Sequence, residues 1–149
     1  TCFTCHGGAD ELTAIRISET DFDGDGDVTE GLAGEIATLT EALYAAMQAY
    51  TAANDATDGI VYASYAYPYY FADTNGNGEA DRDEANYGNS YKTWTPNLLI
   101  AAYNYQYVLK DPGAFAHNGE YVIQVLIDTI DALGGDITLY TRPVVEAAE

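Results

Sequence analysis

The run Cys2-Phe3-Thr4-Cys5-His6 holds the only two cysteines of the chain and ends on one of its two histidines. In a C-x-x-C-H motif the two thiols can add to the vinyl groups of a haem while the adjacent imidazole reaches the iron. The same spacing also suits a Cys2–Cys5 disulfide, a redox dithiol or part of a zinc site. A thioredoxin-like dithiol belongs between a strand and a helix of a βαβ unit, which the pattern of this chain lacks, and tetrahedral zinc needs more Cys or His. The expected chemistry is therefore one covalent haem c on Cys2 and Cys5, with His6 as proximal ligand.

An iron that only transfers electrons takes a second axial ligand, and the candidates are His117 and Met47. Met47 falls on the apolar stripe of an expected helix, where methionine normally fills gaps in a core. His117 stands just before Asn118 at an expected helix start; its alternative role is that of an exposed histidine near a cap. A bis-histidine iron predicts a lower potential than a histidine–methionine pair.

Two acidic runs carry a second chemistry. From Asp73 to Glu84 the sequence fits the twelve-residue EF-hand loop in every ligand column, with Gly78 at position six. Asp73, Asn75, Asn77, the Glu79 carbonyl, Asp81 and bidentate Glu84 would supply the oxygens that Ca²⁺ requires. The other run places Asp21, Asp23, Asp25 and Asp27 at alternate positions, with Gly26 sixth, but its twelfth residue is Leu32. Its nearest closing carboxylate along the chain is Glu30, so this loop closes differently or borrows a distant ligand. The alternative is a solvated acidic turn, which such closely spaced carboxylates disfavour unless a cation joins them. One or two calcium ions are expected, in structural rather than signalling roles, because neither loop has the two flanking amphipathic helices of a sensor.

The elements that must hold these residues are mainly helical. Leu32, Ile36, Leu39, Leu43, Met47 and Tyr50 recur at intervals of three and four, which predicts a helix from about Glu30 to Tyr50. Thr95-Pro96 opens a second helix, Leu98 to Leu109, that Asp111-Pro112 stops. Asn118 is expected to cap a third, with Val122, Val125, Leu126, Ile130 and Leu133 as its buried stripe and Gly134-Gly135 as its end. Residues 9–19 could add a short helix. From about Asn54 to Thr95 long ordered loops with one short strand are expected, and a further β-like stretch runs from Ile137 to Thr141. The predicted fold is three long helices around one core with long calcium-stabilised loops and little β structure, a single domain over residues 1–149. The tyrosines from Tyr62 to Tyr70 are read as an aromatic loop packed on a helix rather than as a charge relay.

The 24 acidic residues against five Lys and Arg, a formal charge of −19, would repel nucleic acid phosphates and anionic membrane surfaces. Cations bound in the acidic runs would offset part of that self-repulsion. Apolar runs fall short of the roughly 20 residues of a membrane span, and no signal peptide precedes Thr1, so either a leader has been removed or the chain is one piece of a longer one.

The segment Ala116-His117-Asn118-Gly119-Glu120-Tyr121 resembles the H-N-P-x-Y segment of multihaem cytochromes such as the pentahaem nitrite reductases, with glycine in place of proline. That resemblance implies an axial-ligand role for His117, and no catalysis, because the active-site haem signature is missing. Over most of the chain, the stretches around Asp23 to Gly31, Ala66 to Gly78, Glu84 to Asn89 and Ala101 to Asn118 resemble the C-terminal region of large extracytoplasmic multihaem c-type cytochromes. Where that family carries a histidine before A-Y-P-Y, this chain has Tyr65, so a ligand there is lost. The resemblance implies a secreted, cell-surface or periplasmic electron-transfer protein that is not an enzyme, with other haem proteins or copies of itself as redox partners. A different class remains open: a structural subunit of an extracellular assembly or filament, in which haem and calcium act as staples.

Overall fold

The computed structural model describes Thr4 and residues 11–16, 18–54 and 58–144. Among these residues the regular elements are α1 (Leu32–Asn54), an antiparallel hairpin of β1 (Gly59–Tyr62) and β2 (Tyr70–Asp73), α2 (Pro96–Lys110) and α3 (Ala114–Ala132). The expectation of a mainly helical chain with little β structure is borne out.

Helix α1 buries Leu32, Ile36, Leu39, Leu43 and Met47 on one side, the stripe that three- and four-residue spacing requires. Met47 is fully buried in the central cluster, where it packs as a core residue. Helix α2 starts as its sequence demands: Thr95 Oγ1 accepts the Leu98 N–H at 3.2 Å, and Pro96 takes the first helical position. Its buried side is narrow, with Leu98, Ala101, Ala102 and Val108.

Helix α3 departs from expectation at its start. It begins at Ala114 behind Gly113, and Asn118 (φ −165°, ψ 51°) breaks it instead of capping it. The early turn forms because Ala116 and His117 donate to the Gly113 carbonyl at 2.9 and 3.0 Å. Just past the break, Gly119 lies so close to α1 that an added Cβ would sit 2.9 Å from Leu32 Cδ1. Beyond it Ile123 and Ile127 are buried beside Val122, Leu126 and Ile130, while Val125 is only half-buried. The apolar face is wider than one stripe because α3 packs on both α1 and α2. Its end follows the sequence: the Gly135 N–H reaches the Ile130 carbonyl at 2.9 Å and Gly134 reaches Asp131 at 2.8 Å, a Schellman closure.

Where one short strand was expected, two four-residue strands pair in the register Gly59–Asp73, Ile60–Ala72, Val61–Phe71 and Tyr62–Tyr70. Each is too short for its alternation to stand out, and tertiary packing decides their pairing. The hairpin seats on the helices through aromatic contacts: Tyr62 packs edge-on to Tyr105 at 5.3 Å, and Tyr105 stacks on Tyr44 at 5.3 Å. Tyr70 donates its hydroxyl to the Ala102 carbonyl at 2.7 Å, and burial pushes its phenol upward and that of Tyr105 up to about 12. Tyr70 and Tyr105 stay protonated, and the group packs the hairpin on the helices.

Two other expectations fail. Ile137 to Thr141 forms a turn, with Tyr140 bonded back to the Ile137 carbonyl at 3.1 Å, and the Thr141 N–H reaches the Phe22 carbonyl at 2.9 Å instead of joining a sheet edge. Within the described part of residues 9–19 there is one 3-10 turn, Leu12–Ala14. The backbone leaves the helical region at Ile15 (φ −71°, ψ 124°), and the Arg16 side chain binds the carbonyls of Ser18, Thr20 and Glu30.

Leu126 has no exposed surface and sits between α3 and its neighbours. Leu126→Ala is expected to cost about 2–5 kcal/mol, since truncation removes buried methyls and leaves a cavity. Urea unfolding followed by far-UV circular dichroism checks this; a loss below about 1 kcal/mol would place Leu126 outside the core.

Candidate functional site

Cys2, Cys5 and His6 lie outside the described residues. His117, in the first turn of α3, is exposed, with a side-chain exposure of 74%. Its Nδ1 lies 3.7 Å from Asp111 Oδ1, beyond hydrogen-bond range. The residues between them fix this pairing: Gly113 donates to Asp111 Oδ1 at 3.1 Å, and its bare α-carbon faces the imidazole, where a Cβ would come 2.8 Å from Cε1. Beside Asp111 a mostly apolar groove of about 480 Å³ runs between α1 and α2, lined by Ile36, Val108, Leu109 and Phe115 among others. An exposed imidazole a few residues along the chain from an apolar groove is a donor that a haem iron accepts.

The second acidic loop, from Asp73 to Glu84, is delivered by β2, whose last residue is Asp73. Asp73 Oδ1 accepts the Gly76 N–H at 2.8 Å and Oδ2 the Gly78 N–H at 2.8 Å. Gly78 has φ +78°, a left-handed conformation that favours glycine at the sharp turn. Asn75 and Asn77 each donate their amide to Asp81 Oδ2 at 2.9 Å, which draws three ligand columns together. Glu84 folds back from the far end: Oε1 accepts from the backbone of Thr74 and Asn75 at 2.8 and 3.1 Å and from the Thr74 hydroxyl at 2.6 Å. The Thr74 hydroxyl bond, with these backbone bonds, holds the carboxyl below its usual range. Among the described residues, the buried Glu84 Oε2 has no hydrogen-bond partner. The Glu79 side chain is exposed, as suits a residue that would offer its carbonyl.

The first loop gathers more charge. Asp23, Asp25 and Glu30 bring carboxylate oxygens within 4.8 Å of one another, and so do Asp21, Asp23 and Glu35. Asp27 stands apart, exposed, with its carboxyl held low by Thr29, whose hydroxyl and backbone both donate to it. Burial raises the Asp23 carboxyl, with Glu35 and Asp25 adding, and it pushes Glu30 up to about 7, helped by Asp23 and Glu35. Like charges about 4 Å apart repel by about 4 kcal/mol per pair at an effective dielectric of 20, so these groups require a counter-charge or protons. Sequence reasoning missed Glu35. Its trace was present, since a carboxylate between Leu32 and Leu39, next to Ile36, interrupts an otherwise apolar stripe. Arg16, 2.7 Å from Glu35 Oε1, was likewise missed.

The C-type polyheme cytochrome OmcB of Geobacter sulfurreducens (strains DL-1 / KN400 and PCA) is 32% identical over 152 residues, covering 92% of this chain and 17% of OmcB. OmcC of the same species (strain PCA) is 32% identical over 164 residues, covering 99% of this chain and 18% of OmcC. The similarity supports a multihaem c-type cytochrome region. The chain spans less than a fifth of the length of these relatives, 17–18%. No protein-family model matches it, and no solved structure does. Among the described residues no helix is long and apolar enough to cross a membrane.

If the second loop holds Ca²⁺, Glu84→Gln removes its closing charge and weakens binding there by roughly tenfold or more. Isothermal titration with Ca²⁺ should show one of the chain's binding events weakened; a titration identical to that of the parent protein would exclude this loop as a site.

Proposed function

We propose that this chain is an extracytoplasmic electron-transfer domain carrying one haem c, bound through Cys2 and Cys5 and ligated by His6 and His117. The observation that carries the reading is the C-x-x-C-H motif in a chain similar over nearly its whole length to polyheme c-type cytochromes. When bound, the haem supplies a one-electron Fe(III)/Fe(II) couple. The part of the chain is to hold and insulate it. His117 is exposed in the turn that Gly113 opens, so its imidazole is free to approach an iron. The groove beside Asp111 offers apolar surface that can exclude water from a porphyrin edge.

Calcium is the proposed second cofactor, in the loop of Asp73, Asn75, Asn77, Glu79, Asp81 and Glu84 and in the loop of Asp21, Asp23, Asp25, Asp27 and Glu30. Support comes from buried oxygens without hydrogen-bond partners among the described residues in both, Glu84 Oε2 in one and Asp23 Oδ2 and Glu30 Oε1 in the other. Two such ions would offset four units of negative charge and pin the long loops to the helices. With a single haem, longer-range transfer runs through partner haem proteins or further copies of the chain.

A second reading is favoured by the outer face of α2, where Leu99, Ile100, Tyr103 and Tyr107 are exposed at helical spacing. In it the chain is a structural subunit of an extracellular assembly or filament, with haem and calcium as staples.

A pyridine haemochrome spectrum with intact-mass measurement tests the leading reading: covalent haem is expected in the parent protein and lost in Cys5→Ala. His117→Ala should convert a six-coordinate low-spin spectrum to high spin, while Met47→Leu leaves the potential unchanged. A low-spin spectrum that survives His117→Ala in the monomer would remove His117 as ligand. If the second reading holds, Tyr103→Glu should break assembly in size-exclusion chromatography and leave the spectrum unaltered.

A further inference from the structure

We infer that the first acidic loop is a closed site for a hard divalent cation of the calcium class, and that its closing ligand is Glu35 of α1 rather than Glu30. The inference rests on reading the two acidic loops as calcium sites and goes beyond it in naming a ligand from outside the loop.

The two loops share a set of side-chain-to-backbone bonds. Asp21 Oδ1 accepts the Gly24 N–H at 2.6 Å and Oδ2 the Gly26 N–H at 2.9 Å, as Asp73 does with Gly76 and Gly78. Asp23 Oδ1 accepts from Asp25 at 3.2 Å, as Asn75 does from Asn77 at 2.9 Å. Asp25 Oδ1 accepts from Asp27 at 2.7 Å, as Asn77 does from Glu79 at 2.8 Å. The glycines at positions four and six have φ +76° and +91° in one loop and +73° and +78° in the other. Up to position seven the two share this pattern, the second adding a bond from the Asn77 N–H to Asp73 Oδ1 at 3.2 Å.

They diverge at position twelve, which is Leu32 in one and Glu84 in the other. Glu84 marks its role by accepting the backbone N–H groups of loop positions two and three, Thr74 and Asn75. In the first loop those positions are Phe22 and Asp23, and both donate to Glu35 Oε2 at 2.9 Å. Glu35 thus takes the place of Glu84 while standing three residues further along, in the first turn of α1. Winding the intervening residues into helix absorbs the extra length: one turn brings residue 35 back beside residue 32.

The observation that points to a ligand is Asp23. It is 4% exposed, its Oδ2 has no hydrogen bond of normal geometry among the described residues, and its carboxylate lies within 4.8 Å of those of Asp21 and Glu35. Arg16 offsets one charge at the Glu35 Oε1 side, yet its Nη1 also donates to the Glu30 carbonyl at 2.7 Å, and it leaves Asp23 without a counter-charge in contact. An all-oxygen ligand set with neither thiolate nor imidazole selects Ca²⁺ or a similar hard ion over zinc or copper. Because Arg16 also holds the carbonyls of Ser18 and Thr20, the site ties the stretch ahead of the loop to α1.

The test is Ca²⁺ calorimetry on the full haem-loaded chain in a Glu84→Gln background, which isolates the first loop. Adding Glu35→Gln should weaken the remaining binding at least tenfold, whereas adding Glu30→Gln should change it less than threefold. Glu35→Asp, which keeps the charge but shortens the arm, should lose Ca²⁺ affinity while Mg²⁺ affinity changes little, and it guards against misfolding of the glutamine variant. Loss on Glu30→Gln with retention in both Glu35 variants would overturn the assignment of Glu35. Absence of any Ca²⁺ binding in the Glu84→Gln parent would overturn the calcium reading of the first loop itself, a failure that leaves a different signature.

Discussion

Self-repulsion among carboxylates is the constraint on this chain, which carries a net charge of −19 over 149 residues and brings several of those carboxylates close together in its first acidic loop. Only five cationic side chains stand against it. Arg142 spans Asp128 and Asp131 at 2.8 and 3.0 Å on the outside of α3, and Arg16 meets Glu35 in the interior. Other carboxylates accept backbone N–H groups: several in the two acidic loops are wrapped in amide donors that fix their orientation. A carboxylate that accepts several N–H bonds is stabilised as the anion, as the lowered Glu84 shows; Asp23 and Glu30, buried among like charges, are driven the other way.

The rest of the architecture follows from where those loops attach. One loop leads directly into α1, so the buried stripe of that helix starts against carboxylates. The other hangs from β2, and the hairpin is held to α1 and α2 by a group of tyrosine rings. The turn after residue 135 returns across the first loop through the bond from Thr141 to Phe22. Helices and loops are therefore one mechanical unit, and in the proposed reading each calcium ion adds rigidity to the frame that holds His117 near the end of α2. A one-electron carrier gains from such a frame, because a fixed ligand geometry keeps reorganisation on changing oxidation state small.

Much of this was legible in the residues. The α1 stripe, the Thr95-Pro96 start of α2, the Gly134-Gly135 end of α3 and the hydrogen-bonded turn of the second loop all stem from interactions spanning a few positions. Such interactions recur at fixed spacing whatever surrounds them. The C-x-x-C-H run is of the same kind: residue order alone gives it chemical meaning, and the similarity to polyheme cytochromes agrees with it.

What the sequence by itself determined, then, is the helical class, most helix boundaries, the second loop and the haem motif. Tertiary structure alone decided the break at Asn118, where Gly119 must approach Leu32, and the pairing of two strands too short to announce themselves. It decided the failure of residues 137–141 to become a strand, since no sheet edge waits there for them. Above all it decided the neighbours of Glu35. Whether a carboxylate on an apolar stripe is tolerated depends on what meets it from elsewhere, and only packing brings the Phe22 and Asp23 amides, Arg16 and the Asp23 carboxylate to that point.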